Sequence, residues 1–184
     1  MIRFILYSQY WLSQLISLSV RSPITKTFIQ GTADAFGFWD EEQTGDITAT
    51  TFVSQLTRHN NDSKGGLMIR TSHDVDAPHV SILVNAGTGV TLLCRRTQGG
   101  ETFSKNKGAL LENVELRLEK TGNSVKALYR QVGASSWYEL GLEETIDFDT
   151  AGTYYVGHAV TSSQHGSHSK LIAAPVDVTP AAAA

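Results

Sequence analysis

Val114-Glu115-Leu116-Arg117-Leu118-Glu119-Lys120 is followed by Thr121-Gly122-Asn123 and then by Ser124-Val125-Lys126-Ala127-Leu128-Tyr129-Arg130. Successive residues of a strand point to opposite faces, so Val114, Leu116 and Leu118 go to one side and Glu115, Arg117 and Glu119 to the other. A strand apolar on one face and polar on the other belongs to an antiparallel sheet. The glycine and asparagine between the two runs mark a hairpin turn.

Similar short runs recur from about residue 31 to residue 178, and Asn85-Ala86-Gly87-Thr88-Gly89 joins two of them as a second hairpin. Residues 24–29, 47–56, 67–71, 80–84, 90–96, 154–161 and 171–178 read as further strands, with polar loops at 58–66, 72–78 and 98–108. Parallel strands need crossovers of a dozen or more residues, usually helical, and no strong helical period interrupts the series. The expected fold is an all-β, antiparallel two-sheet jelly-roll sandwich over residues 24–178. Residues 179–184, Thr-Pro followed by four alanines, are expected to form a disordered tail.

The chain has 184 residues, enough for one such domain with a sizeable core. A net charge of −3 gives no broad basic field for a phosphate backbone, which argues against nucleic acid as a partner. Cys94 is the one cysteine, in phase with Val90 and Leu92, and reads as a small core residue. Residues 1–23 differ in kind. Arg3 and Arg21 flank an apolar stretch broken by Ser8, Gln9, Ser13 and Gln14. A secretion signal, a loosely attached amphipathic helix and an unrelated leader all suit it, and it is too polar to span a membrane. Asn61-Asp62-Ser63 fits the glycosylation acceptor pattern but is too short to establish secretion.

Four segments in order carry a resemblance: Gly45-Asp46-Ile47-Thr48-Ala49-Thr50, Lys64-Gly65-Gly66-Leu67-Met68-Ile69-Arg70, Leu116-Arg117-Leu118-Glu119-Lys120-Thr121-Gly122-Asn123, and Tyr155-Val156-Gly157-His158-Ala159-Val160-Thr161-Ser162. They resemble the concanavalin A-like jelly-roll domains of the DUF1349-like group, related in fold to laminin-G-like modules. The resemblance implies two packed antiparallel sheets and, more weakly, an accessory or cell-surface module that binds carbohydrate. It departs from that pattern twice: an opening strand before Gly31 looks absent or replaced, and His158 stands where an aliphatic residue is usual.

Phasing places Arg70, Arg95 and Arg117 outward, and the expectation is that they share one sheet face with Glu115 and Glu119. Such a face suits a ladder of cross-strand ion pairs, or a polar platform for a sugar or an acidic glycan. Trp39, beside Asp40, Glu41 and Glu42, is expected to open a loop where its ring can stack on a sugar. His59 and Asn60 are loop candidates for the same ligand. Asp74 and Asp76, with His73 and His79 close by, are a weak calcium candidate, because calcium takes six to eight oxygens and no calcium-loop pattern is present. His165 and His168 make a weaker case still for zinc.

No nucleophile or nucleotide signature appears. Glycoside hydrolysis needs two carboxyl groups roughly 5–9.5 Å apart, whereas Glu115 and Glu119 lie about 13 Å apart along a strand. The sequence therefore points to a non-catalytic binding module, for a glycan or a surface protein, in an extracellular or secretory setting with a cytoplasmic one as the alternative. A protein–protein or adhesion module, or a fragment of a larger surface protein, is the second reading, and a carbohydrate-active enzyme the least favoured.

Overall fold

A computed structural model of the chain describes residues 14–21, 28–57, 60–108, 112–141, 143–148, 152–163 and 168–181. The strands are β1 (Ile16–Arg21), β2 (Phe28–Gln30), β3 (Ala33–Ala35), β4 (Gly37–Gln43), β5 (Ile47–Thr57), β6 (Lys64–Arg70), β7 (His79–Asn85), β8 (Gly89–Arg95), β9 (Phe103–Asn106), β10 (Val114–Thr121), β11 (Ser124–Gln131), β12 (Tyr138–Glu139), β13 (Glu144–Thr145), β14 (Tyr154–Thr161), β15 (His168–Ala173) and β16 (Asp177–Pro180). The described residues contain no helix.

Two antiparallel sheets carry the fold. The larger runs β1-β15-β5-β10-β11-β12, with β16 on β5 and β13 on β11. The smaller runs β4-β14-β6-β7-β8-β9, and β2 and β3 form a separate two-stranded ribbon. The hairpin that decides the fold is β10–β11, with Glu115 opposite Arg130 and Glu119 opposite Lys126. Its two-residue turn puts Gly122 at φ 55°, a left-handed backbone that glycine adopts without strain.

Between the sheets lies the core. The larger sheet contributes Ala49, Val53, Val114, Leu116, Leu118, Val125 and Ala127. The smaller contributes Leu67, Ile69, Val80, Ile82, Val90, Leu92, Cys94 and Val156. Cys94 is fully buried, and burial pushes its thiol up to about 12, so it packs as an apolar residue.

The sheets extend past the boundaries read from the sequence at both ends. Ile16–Arg21, assigned there to a leader, pairs with β15 along its whole length and supplies the opening strand that looked absent. Thr179 and Pro180, assigned to a disordered tail, pair with Thr48 and Ile47. In each case an unpaired sheet edge recruits the segment, which satisfies backbone groups on both partners.

Candidate functional site

On the outer face of the smaller sheet, strand register aligns one row of polar residues. Glu42 stands opposite Tyr155, Tyr155 opposite Arg70, Arg70 opposite His79 and His79 opposite Arg95. Several of the neighbouring outward positions are apolar. Met68, Leu83, Leu93 and Ala159 form a second buried cluster with Ile29, and Phe36 and Phe38 pack against it. The β2–β3 ribbon therefore lies across this face, with Ile29 in the apolar patch. Asp34, its cross-strand partner, reaches the arginine–histidine row. The smaller sheet is thus covered on both sides, and β6, β7 and β8 are buried at every position.

Asp34 is the hub of a buried charge cluster. Arg95 donates from Nη1 to Oδ2 and from Nη2 to Oδ1, each at 2.8 Å, a two-pronged match of guanidinium to carboxylate. The remaining donors of Arg95 go to carbonyls: Nε to Gly100 at 3.0 Å, Nη1 to Ala77 at 3.2 Å and Nη2 to Gly31 at 3.1 Å. Arg70 stands further off, with Nη2 4.0 Å from Asp34 Oδ2. Its Nε donates to the Ser72 carbonyl at 2.6 Å and its Nη2 to the Asp74 carbonyl. His79 Nε2 is 3.8 Å from Asp34, and neither ring nitrogen of His79 has a hydrogen-bond partner among the described residues.

Burial governs the protonation of this cluster. It pushes the Asp34 carboxyl above its usual value, although the bonds and charge of Arg95 pull the other way. It lowers Arg70, against the opposing pull of Asp34. His79 falls well below the ordinary histidine value, first through burial and then through the two neighbouring guanidinium groups, and is neutral at neutral pH.

Beside the cluster opens a groove of about 540 Å³ lined by Asp34, Phe36, Phe38, Arg70, His73 and Val75. Phe36 and Phe38 meet edge to face with centroids 5.8 Å apart. The Arg70 guanidinium lies 5.1 Å from the Phe36 ring and 5.9 Å from the Phe38 ring. At the rim, His73 Nε2 donates to Asp40 Oδ2 at 2.8 Å, and the His73 ring sits 3.9 Å from that of Tyr155. The groove joins aromatic faces, a buried cation and an exposed polar rim, a combination suited to a small polar ligand with an apolar side.

The residues singled out from sequence divide among several places. Arg70 and Arg95 do come together, but in the buried cluster rather than on a solvated platform, because the ribbon covers them. Arg117 does not join them. Strand phase tells in from out, but not which sheet a strand enters, and β10 belongs to the larger sheet. There Arg117 lies 4.0 Å from the Trp137 ring and 3.5 Å from Glu119, while Arg130 lies 4.4 Å from the same ring and 2.5 Å from Glu115. This is a ladder of surface ion pairs. Trp39 is within β4 rather than at the start of a loop. It stands opposite His158 and points away from the face that carries Phe38 and Asp40.

Asn60 fastens its own loop, donating from Nδ2 to the Ser162 carbonyl at 2.6 Å and accepting from the Asp62 amide at 2.7 Å. His59 and His165 lie outside the described residues. The Asp74 carboxylate accepts from Ser72 Oγ at 3.0 Å and that of Asp76 from Gln98 at 2.5 Å, so the two serve different partners. Among the described residues no three His, Cys, Asp or Glu side chains gather as a metal site. Sequence reasoning did not place Asp34 in a ligand site, and held His73 only as part of the loop of the Asp74 and Asp76 candidate. Phe36 and Phe38 alternate in the sequence, and that spacing is a signal that could have pointed to the groove.

No family model and no curated protein matches the chain. Among solved structures, a functionally unknown protein from Saccharomyces cerevisiae is similar at a TM-score of 0.72 and 16% identity, over 93% of this chain and 90% of that one. A legume lectin-like domain from Entamoeba histolytica is similar at a TM-score of 0.53 and 10% identity, over 93% and 92%. A xylan β-1,4-xylosidase from Bacillus halodurans C-125 is similar at 0.61 and 16%, over 88% of this chain but only 32% of the enzyme. This chain thus spans about a third of the xylosidase. At such identities the likeness concerns architecture alone: the protein is an all-β, antiparallel two-sheet jelly-roll sandwich.

Proposed function

We propose that the protein is a non-catalytic carbohydrate-binding module that holds its sugar in the groove between the ribbon and the outer face of the smaller sheet. The observation that carries this reading is the lining itself. Phe36 and Phe38 offer apolar faces for the carbon–hydrogen side of a sugar ring, while Arg70, His73 and Asp40 supply hydrogen-bonding groups at its edge. Likeness to a lectin-like domain, and to one part of a longer glycosidase chain, supports it at the level of fold. The carboxylates at the groove argue for binding without hydrolysis. Asp34 is held by both prongs of Arg95, and Asp40 by His73, so neither is a free acid–base partner to the other. A module of this kind works where glycans are displayed, outside the cell or in the secretory pathway.

Retention on insoluble polysaccharides, together with a glycan array, tests the reading. Binding that is lost in Phe38→Ala is expected. Failure to bind any glycan on either format overturns it.

A further inference from the structure

His79 of β7 lies in the outer row of the smaller sheet, roofed by the β2–β3 ribbon. Its side chain is wholly buried, and neither ring nitrogen finds a hydrogen-bond partner among the described residues. A buried polar group without a partner has given up its water for nothing in return. Such a site holds a neutral ring far more readily than a charged one.

The groups that face the ring make a second proton costlier still. Arg70 of β6 and Arg95 of β8 stand opposite it on either side, a register that sets neighbouring Cβ atoms about 5 Å apart. Asp34 of the ribbon is the nearest acid, and Asp76 acts on it from the 72–78 loop. Asp34 already accepts from Arg95 through both oxygens at 2.8 Å, and His79 Nε2 lies 3.8 Å off, beyond hydrogen-bond reach.

Lifting the ribbon would remove this penalty by letting water reach the ring. The ribbon is built as a separable unit, since β2 and β3 pair with each other and with neither large sheet. Two backbone bonds hold it to neighbouring loops: the Asp34 amide donates to the Val75 carbonyl at 2.6 Å, and the Thr102 amide donates to the Gly31 carbonyl at 2.9 Å. The same ribbon brings Asp34 and Ala35 to the groove, with Phe36 next in the chain.

We infer that the ribbon is an acid-released lid: proton uptake by His79 favours the ribbon lifting off the sheet, which dismantles one wall of the groove and discharges its ligand. Ligand discharge rests on the carbohydrate reading, whereas ribbon release does not. The proton binds the open form, so the effect sets in below the ordinary histidine value of about 6.5, not at the far lower one of the covered ring. Between about pH 7.5 and about pH 5 the opening equilibrium rises by up to about thirtyfold. Asp34 acts the other way, because covering raises its carboxyl and acid therefore favours closure through it. A comparison of chains that both keep Asp34 isolates the histidine.

Amide exchange of the full chain at those two pH values, expressed as protection factors, reads ribbon opening at the Asp34 and Thr102 amides. Both are expected to lose about tenfold or more protection in acid beyond any loss in His79→Gln. His73 and His158 are common to the two chains and cancel. Glycan retained on insoluble polysaccharide near pH 7.5 should wash off near pH 5 from the unaltered chain and stay on the variant. Should His79→Gln not fold, His79→Leu takes its place. Flat protection at the two amides in the unaltered chain, or an equal loss in the variant, overturns the inference. Absence of glycan binding at either pH overturns the carbohydrate reading and the discharge step, and leaves ribbon release to the exchange result.

Discussion

His158 gives the pH dependence of stability a sign and a size. It sits on β14 facing the core, 2% exposed, where the family resemblance would put an aliphatic residue. Its Nε2 is 3.0 Å from Thr51 Oγ1, and Thr51 donates its one hydroxyl hydrogen to the Ala174 carbonyl at 2.8 Å. Thr51 must then accept from the ring, which makes Nε2 the protonated nitrogen of the neutral imidazole. Burial opposes a second proton and lowers the group to about 4, despite a backbone bond with Ala174 that acts the other way. The folded value lies below the unfolded one of about 6.5. The contribution of His158 is therefore fully present above that value and is lost as pH falls toward 4. A gap of about 2.5 units corresponds to about 3.4 kcal/mol in full, of which about 2 kcal/mol is lost between about pH 7 and about pH 5. Urea unfolding of the wild type and of His158→Leu at those two pH values measures it. Leucine fills the space and leaves the Thr51–Ala174 bond intact, and any share from His79 is common to both chains and cancels. The wild type should lose about 2 kcal/mol more than the variant. Equal losses would refute the reasoning.

Three further outcomes are expected. Asp34→Asn leaves Arg95 and Arg70 buried without their carboxylate and should cost about 3–5 kcal/mol, read from urea midpoints; a change below about 1 kcal/mol would mean that the ribbon holds without its charge. Arg117→Ala removes a half-exposed ion pair on the other sheet and should cost under about 1 kcal/mol, with glycan retention unchanged. Gly157→Ala should detach β4, because an added Cβ would collide with the Trp39 carbonyl and lie 2.6 Å from Asp40 Cα; faster amide exchange across Gly37–Gln43 and loss of glycan binding are the readouts.

Fold class was legible because period-two alternation in Val114–Thr121 and Ser124–Gln131 reports one buried face directly. The groove was not, and the reason is visible in the smaller sheet. Its strands carry Met68, Leu83 and Leu93 at outward positions, a near-continuous apolar run typical of strands covered on both faces. Equating outward with solvated put Arg70 and Arg95 in water, although the ribbon buries them. Asp34 could not be paired with Arg95 from sequence, since 61 residues separate them and the bond exists only once the ribbon crosses the sheet. Ile16-Ser17-Leu18-Ser19-Val20 alternates as cleanly as the central hairpin, but its signal-like composition masked a strand signature.

Glycan capture at the groove is the claim on which the functional account rests, and backbone NMR of the labelled chain during oligosaccharide titration tests it most directly. The account predicts that amide shifts concentrate at Asp34, Phe36, Phe38, Arg70, His73 and Tyr155, with β10 and β11 unaffected. Shifts confined to the Arg117–Trp137 face, or none at saturating sugar, would contradict it.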